Sequence, residues 1–146
     1  MLRKYPVAFA LLMAAMGVAA PSAGHSESEA NGIIEVTAKL VEIPSKFPPD
    51  DLYDYAYVMR YEVVGGPLDK ASILVAHYKP LQARSKIKDK MKAQASGKLR
   101  GFVQGDVHKL KLSPELKKIW KGPLIDEFAA TDRKSVRYWC LVADPA

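Results

Sequence analysis

The sequence predicts a mainly β domain: five strands closed into a small antiparallel barrel, a basic helix between the third and fourth strands, and a short helix before the last. Three observations carry this. Residues 53–64 and 72–80 are two β-rich runs parted by Gly65, Gly66 and Pro67, the signature of an antiparallel pair with a longer connection. Residues 34–43 alternate apolar and polar, then change phase at Leu40 and Val41, the mark of a β-bulge that lets a strand bend. Cys140 is the single cysteine, so no internal disulfide can form and the domain must hold itself together through its core.

The chain opens with a segment that belongs to no domain. Arg3 and Lys4 precede an apolar run over residues 7–20, and Ala20, Pro21 and Ser22 supply small residues at a cleavage position. Residues 1–22 therefore read as a secretory signal peptide. The run is too short for a membrane span, which needs about 20 apolar residues. Residues 23–31 are polar and read as a flexible linker, and residues 32–146 as the domain. The mature product is expected to be periplasmic or secreted. Cleavage after Ser22 would expose Ala23-Gly24-His25, a tripeptide able to bind Cu(II) in a square plane.

The first strand spans 34–43, with Val36, Ala38 and Leu40 on its apolar face. Prolines at 44, 48 and 49 make the following loop stiff. In the second strand Tyr53, Tyr55, Tyr57, Met59, Tyr61 and Val63 share a face. Tyr53 and Tyr55, at its start, are candidates for an exposed aromatic platform, and with Phe47 for an anchor to a partner. Ile73, Val75 and His77 line one face of the third strand, and Leu74, Ala76 and Tyr78 the other.

Residues 82–95 read as a helix, because Ala83, Ile87, Met91 and Ala95 recur at i, i+4 and Gly97 stops it. Ile87 and Met91 are expected to plug one open end of the barrel. Residues 107–112 form the fourth strand. Ser113 and Pro114 then open a short helix over 114–121 that buries Leu116, Ile119 and Trp120. A further helical turn is expected over 124–130 and the last strand over 136–143. Val36, Leu40, Met59, Tyr61, Val75, Leu110, Leu112, Trp139 and Leu141 are expected to share one core.

The element order resembles that of five-stranded oligonucleotide/oligosaccharide-binding (OB) barrels. The runs at 57–66, 73–75 and 102–107 resemble the spacing of netrin-like exported barrels: a strand ending at Gly, a return strand, and an apolar-x-x-Gly-Asp turn. Residues 73–89 and 137–146 resemble parts of small exported bacterial proteins associated with surface-polysaccharide modification. No catalytic residue carries over from these resemblances.

Charge supplies the main functional expectation. The net charge is +6, and residues 79–121 hold thirteen Lys or Arg against Asp89, Asp106 and Glu115. Arg84, Lys86, Lys88, Lys90 and Lys92 form the candidate basic face, suited to an acidic cell-envelope polymer or an acidic protein partner. Export argues against nucleic acid as the ligand. No zinc spacing, P-loop or nucleophile elbow is present. The expected molecule is a monomeric, non-catalytic binding or accessory protein that needs no cofactor. The alternative is a metal-dependent enzyme or metal-binding accessory centred on His77 and His108 with Asp106.

Overall fold

The structure, a computed structural model, describes residues 32–45 and 54–146. The expected signal peptide and linker, Ala23-Gly24-His25, Phe47 and Tyr53 lie outside the described residues. The fold is mainly β, with six strands in one sheet and little helix.

Strand β1 (Ile34–Glu42) pairs antiparallel with β2 (Ala56–Gly65), and β2 antiparallel with β3 (Ser72–Tyr78). β4 (Val107–Ser113) pairs antiparallel with β1. A two-residue β5 (Leu124–Ile125) lies parallel to β2 at Ala56 and Tyr57. The last strand, β6 (Arg137–Pro145), is parallel to β3 and antiparallel to β4. Pairing therefore runs in a ring through the five long strands, from β1 through β2, β3, β6 and β4 back to β1. The expected irregularity of β1 is present as register shifts at Thr37/Ala38 and Leu40/Glu42.

Period-two alternation sends side chains to two faces, and each face has its own apolar cluster. Val36, Ala38, Leu40, Tyr57, Met59, Tyr61, Val63, Val75, Leu110, Leu112 and Cys140 meet on the face that the ring encloses. Val58, Leu74, Ala76, Tyr78 and Trp139 meet on the opposite face, covered by Ile87, Met91, Ala95, Leu116, Trp120 and Phe128. The single expected core is thus two: Trp139 and Leu141 belong with the second cluster.

The helix expected over 82–95 does not form. Its place is taken by two 3-10 turns, Arg84–Lys86 and Lys92–Gln94, joined by irregular chain. Tertiary bonds claim the groups a helix would use. Asp89 accepts the Met91 N–H at 2.8 Å and the Tyr78 hydroxyl at 2.6 Å. The Trp139 indole takes the Gln94 carbonyl at 2.7 Å. These contacts outweigh the modest helix preference of the residues. Ile87 and Met91 are buried all the same, but against the second face of the sheet and not as an end plug. α1 (Leu116–Ile119) is shorter than expected, and Ser113 Oγ accepts the Glu115 N–H at its approach. The expected turn at 124–130 is replaced at its start by β5.

The 84–95 segment is fastened to β6 just beyond its end. Ser96 bridges Val142, with Ser96 N–H to the Leu141 carbonyl and Ala143 N–H to the Ser96 carbonyl. Gly97 follows at φ +124, where a Cβ would stand 2.1 Å from the Ala143 carbonyl oxygen. Gly97→Ala combines a backbone strain with a backbone clash, and is expected to cost about 2–3 kcal/mol. A denaturant midpoint equal to that of the parent would show that this close approach does not form.

Candidate functional site

The two histidines of the folded part come together on the enclosed face. His77 follows Val75 on β3, and His108 precedes Leu110 on β4, each at the parity that faces inward. Tyr61, at the same parity on β2, places its hydroxyl between them, 2.9 Å from His77 Nε2 and 3.1 Å from His108 Nδ1. All three are buried. A phenol can donate one proton and accept another, so it donates to one imidazole and accepts from the other. The outward nitrogens, His77 Nδ1 and His108 Nε2, have no partner. With both rings neutral, one of these atoms is then a donor and the other an acceptor.

Burial dominates the electrostatics. His77 is held well below the ordinary histidine value by burial, then by Arg84 and His108. His108 is also lowered by burial, which outweighs the opposing pull of Asp106. Tyr61 is raised well above its ordinary value, and the Cys140 thiol is pushed up to about 12, both chiefly by burial. Near pH 7 the cluster therefore holds two neutral imidazoles, a phenol and a thiol, with no nucleophilic thiolate.

Asp106 does not join the histidines: it is exposed, and its backbone carbonyl instead accepts the Leu40 N–H. Among the described residues no group of three His, Cys, Asp or Glu could hold a metal ion. The expected set of His77, His108 and Asp106 is not assembled as a ligand triad.

The basic face is rearranged. Lys86, Lys88, Lys90 and Lys92 are exposed, as their alternation with Ile87 and Met91 requires. Arg84 is not part of that face. It is 3% exposed, and Nη2 donates to the carbonyls of Tyr78, Lys79 and Gln82 at 2.7, 2.7 and 3.1 Å. Tyr55 is 3% exposed and belongs to the enclosed cluster, so it offers no platform.

Lys90 meets two lysines of the α1 region across a cleft of about 610 Å³. Lys118, Lys121, Met91, Ile119, Trp120 and Asp54 also line it. Asp54 is paired with Lys79 at 2.7 Å. Lys118 reaches Glu115 at 3.3 Å, but both are exposed, and such a pair is worth at most about 1 kcal/mol. Trp120 anchors the floor, its indole donating to the Pro123 carbonyl at 2.9 Å and its ring stacked at 5.9 Å on Trp139. Lys118 and Lys121 were visible in the sequence only as part of the basic excess. Their meeting with Lys90 depends on the path of residues 84–95.

A larger cleft of about 900 Å³ lies beside α1, lined by Leu116, Leu124, Ala129, Ala130 and Val136 among others. Its Arg137 is already held by Asp126 at 2.8 Å, and Glu115 lines it together with Lys117, Lys118 and Arg133. No helix among the described residues is long and apolar enough to cross a membrane. In comparisons with known proteins, no family model, curated protein or solved structure matches this chain.

Proposed function

We propose that this chain is an exported, non-catalytic binding or accessory protein on an OB-like barrel, and that it takes an acidic cell-envelope polymer in the cleft of Lys90, Lys118 and Lys121. The observation that carries the reading is that cleft: three lysines from two separate segments converge over an apolar floor. Lys86, Lys88 and Lys92 extend the positive surface along the adjoining segment. A polymer bearing carboxylates or phosphates at intervals gains from each lysine, while its sugar or backbone carbon lies on Met91, Ile119 and the edge of Trp120. The ring of strand pairings, with β3 and β6 parallel and the other four pairings antiparallel, supports the barrel part of the reading.

The test is binding to a soluble polyuronate, followed by calorimetry between 50 and 300 mM salt. Affinity should fall steeply with salt, because exposed charges separated by more than a Debye length of about 10 Å are screened. The triple variant Lys90→Gln, Lys118→Gln, Lys121→Gln should bind about tenfold more weakly, a loss of about 1.4 kcal/mol. Binding that ignores both salt and the triple substitution overturns the proposal. A salt-resistant partner recovered from the envelope would point instead to docking on a protein.

A further inference from the structure

Against Phe102 of the enclosed cluster lies a buried positive charge with no counter-ion among the described residues. Among the described residues no carboxylate pairs with the Arg84 guanidinium, and its Nε has no partner. Burial lowers Arg84 only to about 10, so it stays charged at neutral pH. The groups whose charge it feels, Tyr61, Cys140 and His77, are all neutral there. A buried, unpaired cation is costly unless something compensates it. Carbonyl dipoles on Nη2 compensate part of this, and Nε is left over.

Arg84 shares a neighbour with the two histidines. The Phe102 ring lies 4.2 Å from the His77 ring, 5.9 Å from the His108 ring and 5.1 Å from the Arg84 guanidinium, centroid distances in each case. Three buried atoms without partners, Arg84 Nε, His77 Nδ1 and His108 Nε2, thus belong to three side chains packed on one phenyl ring. Phe102 is borne on a loop between Gly101 and Gly105, and a Cβ at either glycine would meet nothing within 4 Å. The ring is packed inward, and the loop that carries it is tied to β1 at its far end, where the Gly105 N–H donates to the Leu40 carbonyl at 2.7 Å.

We propose that Arg84, His77 and His108 form a binding site for one small carboxylate or oxyanion, and that the Phe102 ring is its gate. The anion accepts from Arg84 Nε and from whichever imidazole presents N–H outward. Its charge supplies the missing counter-ion, and the Tyr61 hydroxyl lets the two imidazoles exchange donor and acceptor roles as the ligand requires. Entry requires the phenyl ring to swing out on its loop, so the intact protein binds weakly. This site is separate from the lysine cleft and does not depend on its role.

The test follows the ring signals of His77 and His108 by NMR as sodium acetate, and in a second series inorganic phosphate, is added at constant ionic strength. Saturable shifts of both histidines are expected, with at least tenfold tighter binding in Phe102→Ala. Acetate alone binding identifies a planar carboxylate site, and both binding identifies a general oxyanion site. Arg84→Met should abolish the shifts. Should that variant not fold, Arg84→Lys in the Phe102→Ala background keeps a buried cation but lacks Nε, and should lose at least tenfold in affinity. The triple lysine variant should keep the shifts, which separates this site from the cleft. Shifts that do not saturate in either the parent or Phe102→Ala, or affinity unchanged by Arg84→Lys, overturn the proposal.

Discussion

Trp139→Ala is expected to lower unfolding free energy by about 3–5 kcal/mol, the cost of removing a large aromatic from a packed core. Trp139 is 0% exposed and sits where three parts of the fold meet. Its backbone pairs with Ala76 of β3 and Ser113 of β4. Its ring stacks at 5.9 Å on Trp120, just past α1, and its indole N–H holds the Gln94 carbonyl at 2.7 Å. Losing it opens the second cluster and frees the segment that carries Lys90. A domain of this size has about 5–15 kcal/mol in all, so the variant should be close to unfolded at 37 °C. Trp139→Phe keeps most of the ring but orphans the Gln94 carbonyl, and should cost about 1–3 kcal/mol. Urea midpoints check both values. If the Ala variant lost less than about 1 kcal/mol, the second cluster would not be a core at all.

What could be read in the sequence follows from period two. Strands β1, β2, β3 and β4 were legible because alternation fixes both the element and its inward face, whereas β6 was legible only as an apolar run, so that Trp139 and Leu141 were expected on the wrong face. The same parity put Tyr61, His77 and His108 on the enclosed side, so their meeting was within reach of the sequence. Residues 82–95 were not legible, although their burial was. Ile87, Met91 and Ala95 recur as a helix stripe should, yet they bury equally well from a chain of 3-10 turns laid across a sheet. Periodicity reports which residues are buried and is silent on the hydrogen bonds that Asp89 and Trp139 divert. Arg84 was misplaced for the same reason: in a lysine-rich run a buried cation has the same local signature as an exposed one. Phe102 carried no signal of these contacts, because those to Arg84 and His77 cross long sequence gaps.

Stability should fall as pH drops from about 6.5 towards 4.5. His77 and His108 are neutral in the fold, with values below the ordinary 6.5, and both regain that value when the chain unfolds. The unfolded state therefore binds more protons through this window, and protons favour the state that binds more of them. The stabilising contribution is full above the unfolded value and is lost progressively below it. Among the described residues the groups on His77 sharpen the effect: the Arg84 guanidinium repels an imidazolium, His108 adds a second such charge, and Tyr61 and Phe102 offer no negative charge in return. Asp106 works the other way on His108, so that ring should protonate first. Among the carboxylates, burial raises Asp89, but bonds from Tyr78 and Met91 and the charges of Lys79 and Lys90 outweigh it and hold it below 3.8, so its contribution is lost only at lower pH. Urea midpoints measured from pH 8 to 4.5 should be level above about pH 7 and then decline. His77→Gln places an amide where Nε2 meets Tyr61, and His108→Asn does the same for Nδ1. The double variant keeps polar partners for the phenol while removing both titrating groups, so its profile should be flat across the window. A parent profile that stays level down to pH 5 would mean that the histidines are not held neutral, and that the enclosed face already admits a proton or an anion to them.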